Sequence, residues 1–182
     1  MHFSSDKEFW YVLFVYGGKE DKVVNALSAH FKNEEIFPFV PRKDKWFIGK
    51  GKKVKEKELL FPSYVFIETK LTGSEFIGLT AEFIRTSSDI IRLLRNSDND
   101  SDIAIRDHER GAWLHLLGRE KHIEESVGFI EKDKVFIEYG PLKGLEGIIK
   151  NINRHKREAL IETEFMGRAV TMNVAVQIIK KI

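Results

Sequence analysis

Alternation of apolar and polar residues divides the chain into a mixed first part and a last part made of strands. Phe9–Tyr16 is an apolar run rich in aromatic and β-branched residues, which predicts a central strand. Lys19–Phe31 carries apolar residues at helical spacing and predicts an amphipathic helix. Leu59–Glu68 predicts another strand, interrupted at Pro62, because proline cannot donate a ladder hydrogen bond.

Shorter patterns complete the first part. Extended segments are predicted at Ile36–Val40, Trp46–Ile48 and Ile90–Leu94, and helices at Gly73–Phe83 and Ile105–Leu117. The resulting order, β-α-β-β-β-α-β-α, indicates an α+β fold in which a mostly antiparallel sheet packs against helices.

The last part alternates almost throughout. Five or so short strands within about 55 residues are typical of a small barrel. Residues 118–123 are polar and predict a linker between a first domain, residues 8–117, and a second, residues 124–182. Gly140-Pro-Leu-Lys-Gly-Leu-Glu-Gly147 lies between two alternating segments, and its glycines predict sharp turns.

Three motifs resemble the NusG family of transcription factors. Gly140–Gly147 resembles a KOW module, Trp10–Gly18 and Leu60–Glu68 resemble the opening and the central strand of the NusG N-terminal domain, and Phe165–Val170 resembles the family's C-terminal stretch. The resemblance covers nearly the whole chain. It implies an N-terminal α/β sandwich followed by an SH3-like KOW β-barrel. Within the family, the combination most resembles the specialised antiterminator paralogue LoaP.

The strand Tyr64–Ile67 is apolar on both faces, so one face is either covered or awaits a partner. The resemblance implies that four aromatic residues grip the clamp helices of RNA polymerase: Trp10, Phe61, Tyr64 and Phe66. The alternative is that these aromatics are ordinary core. Ser63 replaces a frequent family glycine, a change expected to matter little on an extended strand.

Basic residues are concentrated in two segments although the net charge is only +2. Between Arg42 and Lys57 there are eight Lys or Arg against two acids, and Ile48-Gly-Lys-Gly-Lys-Lys predicts an exposed, mobile hairpin arm. Arg154-His-Lys-Arg157 falls where the chain reverses between strands. Clustered cations attract phosphates, although lysines also protect edge strands and keep turns soluble.

Together these patterns predict binding of RNA, for example of a hairpin in a transcript leader. The resemblance favours RNA over duplex DNA as the ligand. The predicted contacts are Arg42, Lys43, Lys52, Lys53, Lys143, Lys150, Arg154, His155, Lys156, Arg157 and Arg168.

Catalytic signatures are missing from the sequence, so the chain is not expected to be an enzyme. It has no cysteine, no Walker-type phosphate loop and no H-E-x-x-H or G-x-S-x-G motif. Asp98, Asp100 and Asp102 have calcium-loop spacing, but Ile103 stands where the loop requires glycine. No metal and no cofactor are expected. The start of the chain lacks a signal-peptide pattern and no long apolar run occurs, so a cytoplasmic protein is predicted. The protein is also expected to be a monomer and, as the resemblance implies, to associate with the nucleoid through RNA polymerase.

The predicted function is processive antitermination: docking on RNA polymerase through the first domain and holding RNA through basic residues. One alternative is a general NusG factor that couples transcription to ribosomal protein NusE or to Rho. Met166 directly before Gly167-Arg168, where the family has an aromatic residue, speaks against this coupling. Another alternative is a ribosome-associated KOW RNA-binding protein, which would not need the aromatic strand.

Overall fold

Residues 8–32 and 34–182 are described by the computed structural model, and this part of the chain contains three α-helices, one short 3-10 helix (Glu146–Ile148) and twelve strands. The helices are α1 (Glu20–His30), α2 (Gly73–Thr86) and α3 (Asp107–Leu117). The strands are β1 (Phe9–Val15), β2 (Ile36–Phe39), β3 (Arg42–Gly49), β4 (Lys52–Leu59), β5 (Tyr64–Thr69), β6 (Ile90–Leu93), β7 (His122–Ile123), β8 (Ser126–Glu131), β9 (Lys134–Tyr139), β10 (Ile149–Asn153), β11 (Glu158–Phe165) and β12 (Arg168–Lys181).

The first of two compact units contains the described residues up to 40 together with 61–110. Its sheet has the order β2-β5-β1-β6, and all neighbouring strands are antiparallel. Alternate residues of β1 and β5 enter a core that includes Val23 and Leu27 of α1 and Phe76 of α2. This arrangement confirms the predicted α+β class.

Helix α3 begins two residues later than its pattern predicted. The backbone N–H of Ile105 donates to the carbonyl oxygen of Trp10, and Ala104 forms an isolated bridge with Tyr11. These bonds hold residues 104 and 105 in an extended conformation beside β1, so the helix starts at Asp107.

A turn divides the strand that was predicted over Leu59–Glu68. Phe61, Pro62, Ser63 and Tyr64 form this turn, with the N–H of Tyr64 donating to the oxygen of Phe61 and Ser63 at φ +70°. Proline followed by a positive φ is typical of a type II turn. The interpretation of Ser63 as an extended residue is therefore wrong, because this position favours glycine for its backbone conformation.

The second compact unit combines residues 41–60 with 111–182. Its five-stranded sheet has the order β10-β11-β12-β8-β9, and β12 pairs with β8 in parallel. Leu142, Ala159 and Ile161 are fully buried in this unit. The sheet fits the predicted KOW-like barrel. Gly140 adopts φ +97°, and a Cβ there would lie 2.7 Å from Ser126 Cα, which explains the glycine at this turn.

The hairpin of β3 and β4 belongs to this second unit although it precedes β5 in the sequence. Strand β3 pairs in parallel with β7, and Ile123 of β7 is fully buried. His122 and Ile123 therefore depart from the predicted polar linker, because they complete a three-stranded sheet. Independent folding of residues 8–117 and 124–182 stays a prediction.

Within the described ranges, no helix is long and apolar enough to cross a membrane. The signal-peptide prediction concerned residues 1–7, which lie outside those ranges.

Candidate functional site

A buried carboxylate fixes one face of the β3–β4 hairpin. Asp44 and His122 are each 8% exposed, and 2.7 Å separates Asp44 Oδ1 from His122 Nε2. Asp44 Oδ2 accepts the backbone N–H of Glu125 at 2.9 Å and lies 3.5 Å from Lys55 Nζ. Burial acts to raise the pKa of Asp44, but these hydrogen bonds and charges outweigh it and hold the pKa below its ordinary value. The ionised carboxylate thus ties β3 to the residues that lead into the barrel.

Trp46 lies two residues further along the same face and completes the anchor. Its indole Nε1 donates to Glu125 Oε1 at 2.8 Å, and the Arg157 guanidinium carbon lies 4.2 Å from the centroid of its ring. Arg157 also pairs with Glu125 at 2.9 Å and donates to Gln177 Oε1. A cation over an indole ring, with a carboxylate bonded to both groups, is a specific arrangement. The hairpin is therefore anchored at its base, whereas residues 48–53, for which a mobile arm was predicted, are exposed and their mobility stays a prediction.

Two predicted RNA contacts, Arg157 and Lys43, make internal contacts in the second unit. Arg157 is largely enclosed by Trp46, Glu125 and Gln177. Lys43 donates to the carbonyl oxygen of Asn173 at 2.6 Å, and burial lowers its pKa. Both cations hold the unit together, and their role as direct RNA contacts stays a prediction.

Other predicted cations meet at a cleft made of two adjoining hollows. One hollow, of about 560 Å³, is lined by Asn151, Ile152, Asn153, Arg154, His155 and Ile178. The other, of about 310 Å³, is lined by Lys53, Arg154, His155, Arg157, Gln177 and Ile178. Lys53 comes from the hairpin, whereas Arg154 and His155 come from the β10–β11 loop. The fold thus joins the two basic segments of the sequence at one surface, the cleft formed by these two hollows.

The shape of the β10–β11 loop separates its four basic residues. Asn153 Oδ1 accepts the backbone N–H of Lys156 at 3.0 Å, and Arg157 has φ +55°. Arg154, His155 and Lys156 are exposed, whereas the chain turns Arg157 back toward Trp46. The basic run therefore divides into three exposed residues and one anchor.

The remaining predicted RNA contacts lie apart from the lining of the cleft. Lys150 Nζ is 3.0 Å from Glu162 Oε1. Lys143 is exposed on a turn, and Lys52 is the exposed first residue of β4. Arg168 follows the far end of β11, about 24 Å from the basic loop at the usual rise per strand residue. The expectation that Arg168 lies near the basic loop is wrong. Arg42 is half-buried on β3.

The predicted polymerase contacts form one aromatic cluster on the β1–β5 sheet. Ring centroids are 6.1 Å apart for Trp10 and Phe66, 5.7 Å for Phe61 and Phe66, and 6.4 Å for Phe61 and Tyr64. Trp10 and Phe66 have no exposed surface, whereas Phe61 and Tyr64 are half-buried. In this structure only the latter two can present atoms to a partner. Trp10 and Phe66 support them from beneath, and Trp10 Nε1 is held by Glu68 at 2.8 Å.

The turn that carries Phe61 and Tyr64 is fixed by a buried acid. Glu20 in the first turn of α1 is 3% exposed, and its Oε1 accepts the backbone N–H of Ser63 at 2.8 Å. The N–H of Val15 donates to the oxygen of Ser63 at 2.8 Å. Both backbone groups of Ser63 are thereby fixed, so the aromatic pair is held at a set position.

Replacing Ser63 by glycine should raise the free energy of unfolding by about 1 kcal/mol, because a side chain at φ +70° is strained and glycine is not. Thermal unfolding of the full chain measures the change. Ser87→Gly is the matched control, since Ser87 has φ −72° and gains nothing from glycine. An equal rise in both variants would contradict strain at Ser63.

The acidic segment that was considered for calcium forms ion pairs instead. Asp98 and Asp102 both pair with Arg106, and the hydrogen bond from Arg106 lowers the pKa of Asp98. The prediction of no metal remains a prediction, but these two carboxylates already have a cationic partner.

Several residues of the cleft and its anchor were not predicted from the sequence. Trp46, Glu125 and Gln177 come from three distant segments, and Ile152 and Ile178 look like ordinary strand positions. A tryptophan inside a lysine-rich hairpin was the one available signal, because an exposed arm seldom carries so large an apolar group.

Comparison with known proteins gives consistent similarities. The model of the family described as "Transcription termination factor nusG" matches residues 8–112, more than half of the chain. The transcription termination/antitermination protein NusG of Borreliella burgdorferi is 27% identical over 182 residues, which cover 95% of this chain and 98% of that protein. The corresponding protein of Halalkalibacterium halodurans is 24% identical over 179 residues, covering 95% and 98%. A solved structure, "Domain interaction in Thermotoga maritima NusG", aligns over 93% of this chain and 94% of that chain, with 20% identity and a TM-score of 0.46.

Proposed function

Because the chain belongs to the NusG family of transcription termination factors, we propose that it is a processive antiterminator of the LoaP type. In this proposal, it binds the clamp helices of RNA polymerase through its first compact unit. Its second unit holds RNA in the cleft. No chemistry is required, since binding that disfavours a paused conformation shifts the population toward elongation.

The observation that carries the proposal is the convergence of Lys53, Arg154 and His155 on the cleft. Basic residues that serve solubility alone have no reason to gather from the β3–β4 hairpin and the β10–β11 loop around one concave surface. Among the residues that line the cleft, all within the described ranges, none carries a carboxylate. A polyanion in the cleft would therefore contact cations, with no carboxylate in the lining to repel it.

Polymerase binding is assigned to Phe61 and Tyr64. Half-buried aromatic rings supported by other rings are the side chains that protein–protein hot spots favour, since they lose little conformational entropy on binding. The turn fixed by Glu20 presents both residues in a preset geometry.

Tyr64→Ala should weaken binding to core RNA polymerase by about 2 kcal/mol, the loss expected of a hot-spot aromatic residue. The measurement is a binding titration of the full chain against core polymerase, with the melting temperature recorded for each variant. Tyr139→Ala is the control of the same residue type, because Tyr139 is 70% exposed on β9 in the other unit. Wild-type affinity of a folded Tyr64→Ala chain would remove Tyr64 from the docking surface.

The antitermination role itself is tested by transcription in vitro. With purified polymerase and a template that carries terminators after a structured leader, the protein should increase full-length transcript, and Tyr64→Ala should not. Increased termination with the wild-type protein would refute the antiterminator assignment.

Coupling to ribosomal protein NusE or to Rho receives less support. Phe165 and Met166 at the β11–β12 turn are 8% and 4% exposed, so these side chains offer little surface to such a partner. A ribosome-associated KOW protein is also less well supported, because the family match covers residues 8–112, outside the KOW-like barrel.

A further inference from the structure

We propose that the cleft takes an unpaired nucleotide of the RNA, with its base against Ile152 and Ile178 and its phosphates against the surrounding cations. This inference rests on the RNA binding proposed above and specifies which part of an RNA the cleft accepts. It predicts that a paired stem alone is a poor ligand.

The size of the cleft fits one inserted group rather than a helix. Its hollows of about 560 and 310 Å³ lie within the range of small-molecule sites, roughly 300–1,000 Å³. A double helix contacts proteins over many base pairs along its outer surface and inserts no base into a hollow of this size.

The lining combines an apolar part with amide groups. Ile152 on β10 and Ile178 on β12 are half-buried side chains that offer apolar surface to a flat base. Their burial by a base resembles the stacking and apolar contacts by which proteins hold unpaired bases. Phosphates alone would gain nothing from these isoleucines, so the apolar part points to a nucleobase.

The amide side chains add hydrogen-bond donors beside that apolar surface. The oxygen of Asn153 already accepts from Lys156, and the oxygen of Gln177 accepts from Arg157. Each amide therefore keeps its NH₂ group as the part that can donate to a ligand. Carbonyl and ring-nitrogen acceptors on the Watson–Crick edge are accessible only in an unpaired base.

Cations complete a site of nucleotide chemistry. Arg154 can form two parallel hydrogen bonds to a phosphate, and Lys53 contributes a point charge. His155 is an exposed ring that can stack on a base as well as contact a phosphate. The apolar surface thus matches the face of the base, the amide donors match its edge, and the cations match the phosphate of one extruded nucleotide.

The test compares three RNA probes with the full chain by fluorescence anisotropy. One probe is a blunt 16-base-pair duplex, one has the same sequence with a single bulged nucleotide, and one has the same bulge without its base. The bulged duplex should bind at least about tenfold more tightly than the blunt duplex, and the abasic bulge should bind like the blunt duplex.

Two variants and one control assign any preference to the cleft. His155→Ala should remove most of the preference for the bulge while changing affinity for the blunt duplex little. Arg154→Ala should weaken binding of every probe by a similar factor. Arg85→Ala removes a surface arginine of α2, in the other unit, and should change no affinity.

Equal affinity for the base-containing and the abasic bulge would overturn the unpaired-nucleotide inference while leaving RNA binding intact. A loss in His155→Ala that is equal for all probes would overturn it too. If the wild-type chain binds none of the probes and no single-stranded RNA, the proposed RNA-binding function fails with it.

Discussion

Replacing Gly128 by alanine is expected to lower the free energy of unfolding of the barrel by about 3 kcal/mol. A Cβ at this position would lie 2.2 Å from the backbone oxygen of Phe136 and 3.1 Å from Ile137 Cα. Strands β8 and β9 would have to separate, because backbone atoms cannot rotate away as a flexible side chain can. The register of this pair already shifts between Val127 and Gly128, so the glycine marks a place of close backbone approach.

Chemical denaturation monitored by amide signals of the barrel measures this effect. Gly147→Ala is the matched control, since no atom lies within 4 Å of the Cβ it would add. Gly147→Ala should leave stability within about 0.5 kcal/mol of the wild type. An equally small change in stability for Gly128→Ala would show that β8 and β9 separate at little cost, and it would contradict this prediction.

Asp44→Ala should lower the stability of the second unit by about 3 kcal/mol, because it leaves a buried partner without its carboxylate. His122 loses its 2.7 Å contact, and the backbone N–H of Glu125 loses its acceptor. Hydrogen exchange of the β3 and β4 amides should accelerate with the loss of this anchor. Lys57→Ala is the control, since Lys57 lies opposite Asp44 in register but is exposed.

Acidification should reproduce this weakening in the wild-type protein. The pKa of Asp44 is lower in the folded chain than its ordinary value, which is about 3.9 in the unfolded state. Its stabilisation is therefore complete above about pH 4 and is lost as the pH falls through the folded pKa. In the wild type, acidification should increase the opening of the hairpin measured by amide hydrogen exchange, and this increase should disappear in Asp44→Ala. An unchanged pH dependence in that variant would exclude Asp44 as the cause.

Local patterns predicted the strands and helices because each depends on residues close in sequence. Phe9–Tyr16 and Lys19–Phe31 fall within one or two residues of β1 and α1. The prediction failed at Ser63, because only the conformation of the turn reveals its positive φ. The start of α3 was missed for a related reason: the bond from Ile105 to Trp10 joins residues that the pattern treats separately.

The candidate site was predicted in composition but not in arrangement. Charge counting found Lys53 and Arg154, yet it also selected Lys43 and Arg157, whose charges are used inside the protein. A sequence does not distinguish a cation that packs on an indole ring inside the protein from an exposed cation that can bind phosphate. For Arg157 the difference is made by Trp46, Glu125 and Gln177, and for Lys43 by the carbonyl oxygen of Asn173; these groups come together only in the folded unit.

The place of the β3–β4 hairpin in the chain has a consequence for synthesis on the ribosome. Residues 41–60 emerge early, between two segments of the first unit, but Trp46 contacts Glu125 and Arg157, and Asp44 contacts His122. The described residues of the first unit, up to 40 and from 61 to 110, have their own core, so we expect this unit to form while the hairpin still lacks its anchors. The anchors of the hairpin are complete only when Arg157 has been translated. Ordering of Trp46 therefore reports that translation has passed Arg157.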